Sequence, residues 1–183
     1  MFRKVDLGKF DNSNYKPGSY FIRVLWYFVN ILILKNSLIS SSFLKKRVLR
    51  FFGAKIGKGV IIKPSVNIKY PWKLKIGDHC WIGENVWIDN LDNLEIGDNV
   101  CISQGALLIC GNHDYKSTTF DLITSPIVIE DGVWICAKAI VSSGVRLKSH
   151  SILTIGSVAT KDLDPYSINK GNPAIKIKDR FIN

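Results

Sequence analysis

The chain of 183 residues supports one domain and is too short for two full catalytic domains. At 46% hydrophobic and 22% charged residues, its composition excludes general disorder, collagen-like structure and a polytopic membrane protein. The formal net charge of +10 is confined to one end: residues 1–58 hold twelve Lys/Arg against Asp6 and Asp11, whereas residues 59–183 hold thirteen of each sign. Basicity gathered in this way points to an anionic surface facing one end of the molecule rather than to nucleic acid.

Along the chain, residues 1–53 form a basic and aromatic segment for which two helices are expected. Tyr20 to Leu34 is the one long apolar stretch, but its fifteen residues carry Arg23 and Asn30. It falls short of the roughly twenty apolar residues that span a bilayer. It also starts too deep in the chain, with no A-x-A site, for a secretory signal. Phe43 to Phe52 predicts a second helix with Leu44, Val48, Leu49 and Phe52 on one face and Lys45, Lys46, Arg47 and Arg50 largely elsewhere. These helices are expected either to pack over the end of the main domain or to lie on a membrane.

From Ala54 the pattern becomes a short repeat. Aliphatic residues recur every six positions at Ile56, Ile62, Ile68; Ile76, Ile82, Ile88; Ile96, Ile102, Leu108; and Ile129, Ile135, Val141, Leu147, Leu153. In eleven of these fourteen hexads the fourth residue after the aliphatic one is Val, Ala, Ser or Cys. One large and one small inward position per straight segment, with a bend after each, closes the chain into a triangular coil of eighteen residues. Such coils stack as parallel strands roughly 4.8 Å apart. Glycine after the aliphatic residue, as in Ile56-Gly57, Ile76-Gly77, Ile82-Gly83 and Ile96-Gly97, is expected to supply unusual backbone angles at the bend. Steps of eight from Ile68 to Ile76 and from Ile88 to Ile96, and of twenty-one from Leu108 to Ile129, interrupt the repeat. All three leave the third hexad of a coil, so residues 69–73, 89–93 and 109–126 are expected to pile up along one edge, where chemistry is most easily carried. The core domain is expected over residues 54–160, with the insertion 109–126 and a tail over 161–183. Cys80, Cys101, Cys110 and Cys136 lack metal-site spacing and read as free thiols of a reducing compartment.

These residues resemble the hexapeptide-repeat acyltransferases, which fold as left-handed parallel β-helices. FFGAKIGKGV, PWKLKIGD, ISQGALL, GNHDYKSTTFDLITSPIVIEDGVWI, VATKDLDPYS and GNPA are similar to the branch of colanic acid biosynthesis acetyltransferases. The resemblance implies acetyl transfer from acetyl-CoA to a sugar hydroxyl in surface polysaccharide biosynthesis, without metal, by a cytoplasmic homotrimer. It places a general base at His113, with Asn112 beside it as an acceptor contact. An imidazole titrates near neutral pH and can take the proton of an alcohol as the thioester is attacked. Asp89 stands where sugar acetyltransferases carry an acceptor-binding asparagine; it could bind the acceptor or orient His113. Cofactor contacts carry over to Trp134, Ala137, Ile155, Thr160 and Lys161, with the Gly171-Asn172-Pro173 turn near the adenine end. Cys110 is read as packing, because the family transfers directly. The alternatives are acetylation of xenobiotics such as streptogramins, a γ-type carbonic anhydrase and a membrane-attached scaffold. His79, His113 and His150 do not occupy equivalent hexad positions, which argues against the anhydrase; 113 and 160–161 argue against the scaffold.

Overall fold

In a computed structural model, which describes residues 3–183, the hexads close into a parallel β-helix with three walls. The first wall stacks Lys55–Ile56, Leu74–Ile76, Leu94–Ile96, Ile127–Ile129 and Arg146–Leu147. The second stacks Ile61–Ile62, Trp81–Ile82, Cys101–Ile102, Trp134–Ile135 and Ile152–Leu153. The third stacks Asn67–Ile68, Trp87–Asp89, Leu107–Ile109, Ile140–Val141 and Val158–Ala159. Register sets like on like: Ile56 lies beside Ile76, then Ile96, Ile129 and Leu147. All fourteen aliphatic positions and all eleven small positions are buried. Fully burying one such isoleucine contributes roughly 1.5–3 kcal/mol, so the interior column is the main source of cohesion along the prism.

The glycines that follow the aliphatic residues serve a different end from the expected bend. Gly57, Gly77, Gly83 and Gly97 have no left-handed φ; that conformation comes two residues later, at Gly59, His79, Asn85 and Asn99 (φ 65, 56, 56 and 56°). A Cβ at Gly77 would lie 2.6 Å from the carbonyl oxygen of Gly97 and closer still to the Asp98 carboxylate. The next coil excludes the side chain. Asp98 reaches across to accept from the amide of Asp78 at 2.7 Å, and Asp78 and Asp131 make the same contact to Lys58 and Asp98. Along this edge the requirement for glycine comes from close approach.

Helix α1 (Tyr20–Val29) runs on through a π-helical turn, Asn30–Leu34, and helix α2 covers Ser42–Phe51. Both close the base of the prism. Trp26, 2% exposed, donates from Nε1 to the Ile68 carbonyl at 2.9 Å, and the Asn30 amide donates to Asn67 Oδ1 at 2.7 Å. In α2 the packed face is turned from the expected one: Leu44 is exposed and Lys45 is buried. The Lys45 ammonium donates to the Lys63 carbonyl at 2.7 Å, satisfying an acceptor at the open end of the helix-closed prism that leucine could not. Burial lowers the pKa of this lysine. At the other end Ser167–Gly171 joins the second wall beside Ile152–Leu153, and Ala174–Asp179 folds back antiparallel on it. Gly171-Asn172-Pro173 lies at the turn of this hairpin. Among the described residues no helix is long and apolar enough to cross a membrane.

Candidate active site

The three insertions all lie between the third wall and the first, stacked as the hexad count requires. Their bases fall at positions spaced by twenty residues, Tyr70, Asn90 and Cys110. Asn90, fully buried, accepts from the Tyr70 amide at 3.0 Å and donates to the Tyr70 carbonyl at 2.7 Å. One coil further, the equivalent place is taken by Cys110, also fully buried. Burial above all pushes its thiol up to about 11, so at neutral pH it is a protonated packing group and supplies no nucleophile. The longest insertion then forms a hairpin, Gly111–His113 against Leu122–Thr124, with His113 opposite Leu122.

His113 Nδ1 lies 2.9 Å from the Phe120 carbonyl oxygen. A carbonyl oxygen can only accept, so Nδ1 carries the proton and the lone pair stands on Nε2. The imidazole also lies flat on the Phe120 ring, 4.4 Å between centroids and 6° between planes. One residue thus fixes both the tautomer and the orientation of His113. Among the described residues Asp89 makes no hydrogen bond to His113, and the orienting contact to the imidazole is that of Phe120. Asp89 ends the third-wall strand Trp87–Asp89, and its buried Oδ1 has no hydrogen-bond partner. Burial raises its pKa, against a smaller lowering by Lys69. Asn112 spends its side-chain oxygen on the His113 amide at 2.8 Å, which leaves its amide nitrogen to meet an acceptor.

Residues 3–18 lie along the same edge, a placement that the absence of any periodicity hides in the sequence. The Asp6 amide donates to the Thr118 carbonyl at 2.8 Å, the Tyr15 hydroxyl to the Leu91 carbonyl at 2.6 Å, and Trp72 Nε1 to the Pro17 carbonyl at 3.0 Å. Phe10 sits with its ring 6.0 Å from His113, tilted by 54°. Burial, then Tyr70, Asp92 and Asp89, raise the Tyr15 pKa, so its hydroxyl remains a proton donor. A recess of about 290 Å³ opens between this segment and the hairpin, lined by Asp11, Asn12, Tyr15, Asp121 and Thr124. Phe10 and Tyr15, lone aromatics in a polar stretch, are the one sequence signal that could have marked it.

The residues expected to hold a cofactor are divided between two edges. Thr160 and Lys161 are exposed on the insertion edge, after the third-wall strand Val158–Ala159. Trp134 faces outward from the second wall and donates from Nε1 to Ser103 Oγ at 2.9 Å. Ala137 and Ile155 follow second-wall strands at the next edge, with Ile155 71% exposed. His79 and His150 take left-handed turn positions between the first and second walls, and His150 stacks on Tyr166 at 4.7 Å. Among the described residues no three His, Cys, Asp or Glu side chains gather to hold a metal ion.

No family model matches the chain. It is 41% identical over 133 residues, 73% of each chain, to WcaF of Escherichia coli K12, which is provisionally assigned as a colanic acid biosynthesis acetyltransferase. It is 26% identical over 138 residues to the galactoside O-acetyltransferase of the same organism, across 74% of this chain and 68% of that one. Its fold matches the hexapeptide-repeat acetyltransferase VCA0836 of Vibrio cholerae with a TM-score of 0.79 at 25% identity, covering 87% of this chain and 90% of that one. VCA0836 has also been solved with acetyl coenzyme A bound. Fourteen buried hexads, and the likeness to WcaF across nearly three quarters of both chains, make this protein an acyltransferase that belongs to the hexapeptide-repeat acetyltransferases.

Proposed function

We propose that the protein transfers the acetyl group of acetyl-CoA to a sugar hydroxyl during assembly of a surface polysaccharide, with His113 as the general base. The observation that carries this reading is the bond from His113 Nδ1 to the Phe120 carbonyl, which leaves Nε2 as a basic nitrogen in a fixed direction. As the hydroxyl oxygen attacks the thioester carbon, Nε2 takes its proton. Collapse of the tetrahedral intermediate breaks the carbon–sulfur bond, and the departing CoA sulfur takes the proton from Nε2. No acyl-enzyme forms. The unpartnered oxygen of Asp89 and the amide of Asn112 supply an acceptor and a donor for sugar hydroxyls. The acetyl donor is supported by the named activities of the relatives and by the VCA0836 complex; the polysaccharide role follows WcaF.

In this reading Trp134, Ala137 and Ile155 lie along the pantetheine arm, and Lys161 with Thr160 meets CoA phosphates. Residues on two edges of a triangular prism cannot line one cleft in one copy. A homotrimer that sets one copy's insertion edge beside the next copy's second wall would unite them. The outer face of that wall supports this, because Ile61 and Trp81, 39% and 60% exposed, border an open groove of about 540 Å³, and Trp134 on the same wall is 42% exposed. The site of action is the cytoplasm, where the acetyl donor is made. Release of free thiol from acetyl-CoA, measured against sugars, lipid-linked saccharides and streptogramins, tests the reading. A His113→Ala variant is expected to lose roughly 10²–10⁴ in turnover on a saccharide while still binding acetyl-CoA. Near-normal turnover by that variant would overturn the base, and activity on streptogramins alone would overturn the sugar acceptor.

A further inference from the structure

The base of the prism presents a large apolar surface that nothing among the described residues covers. Helix α1 packs inward through Trp26, and its π-helical continuation through Asn30 and Leu34, but both are apolar nearly all round. Phe21, Leu25, Phe28 and Leu32, spaced as one helical stripe, are 81%, 54%, 57% and 64% exposed. On α2, Phe43 and Phe51 are 67% and 83% exposed. Between the two helices lies an open apolar groove of about 750 Å³ with Arg47 at its margin. An all-apolar helix in a soluble position ordinarily implies a further surface against it.

Charge identifies that surface. From Asn12 to Gly77 the chain holds thirteen Lys/Arg and no Asp or Glu. Lys16, Lys35, Arg47, Lys55 and Lys58 are exposed, and among the described residues none of them makes an ion pair. A twofold contact between copies through this base would set cations against cations. Apolar side chains standing out among unpaired cations instead match the phosphate layer and the acyl boundary of an anionic bilayer.

We infer that α1, the π-helical turn and α2 form an interfacial docking face for an anionic phospholipid membrane, lying in its surface without crossing it. Each cation near the surface and each inserted aromatic adds a small attraction, and together they give reversible binding that weakens as salt shortens the Debye length from about 10 Å at 0.1 M to 3 Å at 1 M. His113 hangs from the third coil, two spacings of ~4.8 Å above the first, and a helix adds about 10 Å. A sugar carried roughly 20 Å above the bilayer on a lipid would meet it there; this consequence rests on the acetyltransferase reading, whereas the docking does not.

The test is co-sedimentation of the full chain with phosphatidylcholine vesicles, with and without about 40% phosphatidylglycerol. It is run at 0.1 M and 1 M salt, with sedimentation velocity in parallel. Binding to anionic vesicles at low salt is expected, lowered roughly tenfold or more in Phe21→Glu/Phe28→Glu. Both residues are exposed, so the fold and the sedimentation coefficient should be unchanged. Protein left in the supernatant with anionic vesicles at low salt overturns the inference. So does equal binding by the double variant, or a fall in its sedimentation coefficient, which would show that copies of the chain cover this face.

Discussion

The edge between the first and second walls and the edge between the third wall and the first are turned by the same coils, yet they are built on opposite terms. Along the former, Gly57, Gly77 and Gly97 lie beneath Asp78, Asp98 and Asp131, and each coil repeats the one below it. Along the latter, only the bases of the insertions repeat, through Tyr70, Asn90 and Cys110, and beyond them each layer differs. The coil spacing dictates residues where backbones meet face to face. Where the chain bulges outward the spacing dictates nothing, and side chains such as His113 are free to be selected for chemistry.

The sharpest way to break this contrast is Gly77→Ala. The added Cβ meets the Gly97 carbonyl at 2.6 Å, and backbone on both sides leaves it nowhere to go. We expect a loss of about 3 kcal/mol or more, a fall of roughly 6–12 °C in Tm by calorimetry. A Tm within a degree of the parent would mean that the coils tolerate more separation than their spacing implies. Removing His113 should leave Tm in place, since its side chain supports no other coil.

A smaller effect should follow from Phe10→Ala, which asks whether residues 3–18 belong to the insertion edge. Loss of an aromatic neighbour is worth about 1 kcal/mol, so kcat/KM should drop several-fold while Tm falls by no more than roughly 2–4 °C. Full activity would confine the site to the hairpin.

The smallest change, and of opposite sign, is expected for Asp89→Asn. A buried carboxylate oxygen without a partner costs about 1 kcal/mol or somewhat more, so the variant should melt roughly 2–4 °C higher at pH 7. Burial raises the folded-state pKa of Asp89 above its ordinary 3.8. As pH rises the unfolded chain therefore releases this proton first; the penalty is absent below that ordinary value and complete above the folded-state pKa. The gap between variant and parent should accordingly close on acidification. A variant that melts lower at pH 7 would show that Asp89 has a stabilising partner.

The walls were legible because period six writes inward burial directly into the sequence: Ile88, Ile102 and Leu108 need only a count to be placed. The insertion edge followed from where the count broke. What the count could not supply were reasons and long-range partners. Glycine after isoleucine looks the same whether φ or a neighbouring coil demands it. The packed face of α2 differs from the hydrophobic one because Lys45 answers an acceptor at Lys63, which no helical wheel displays. Phe120, seven residues from His113, was within reach of local reasoning, but a backbone carbonyl leaves no mark in side-chain identity. Phe10 and Tyr15 reach their partners across 103 and 76 residues, with no repeat to announce them.

A stack of parallel strands has no internal reason to stop, since its last coil offers the same unpaired backbone groups as every coil before it. Here the second wall ends by reversing direction, and Ala174–Asp179 becomes its outermost strand. That strand carries Lys176, Lys178 and Asp179, with Lys176 paired to Asp179 at 2.7 Å. Charges on a reversed strand make a poor template for another prism. The hairpin therefore works as a terminator of the second wall, leaving a charged, reversed strand where a further parallel coil would have to pair.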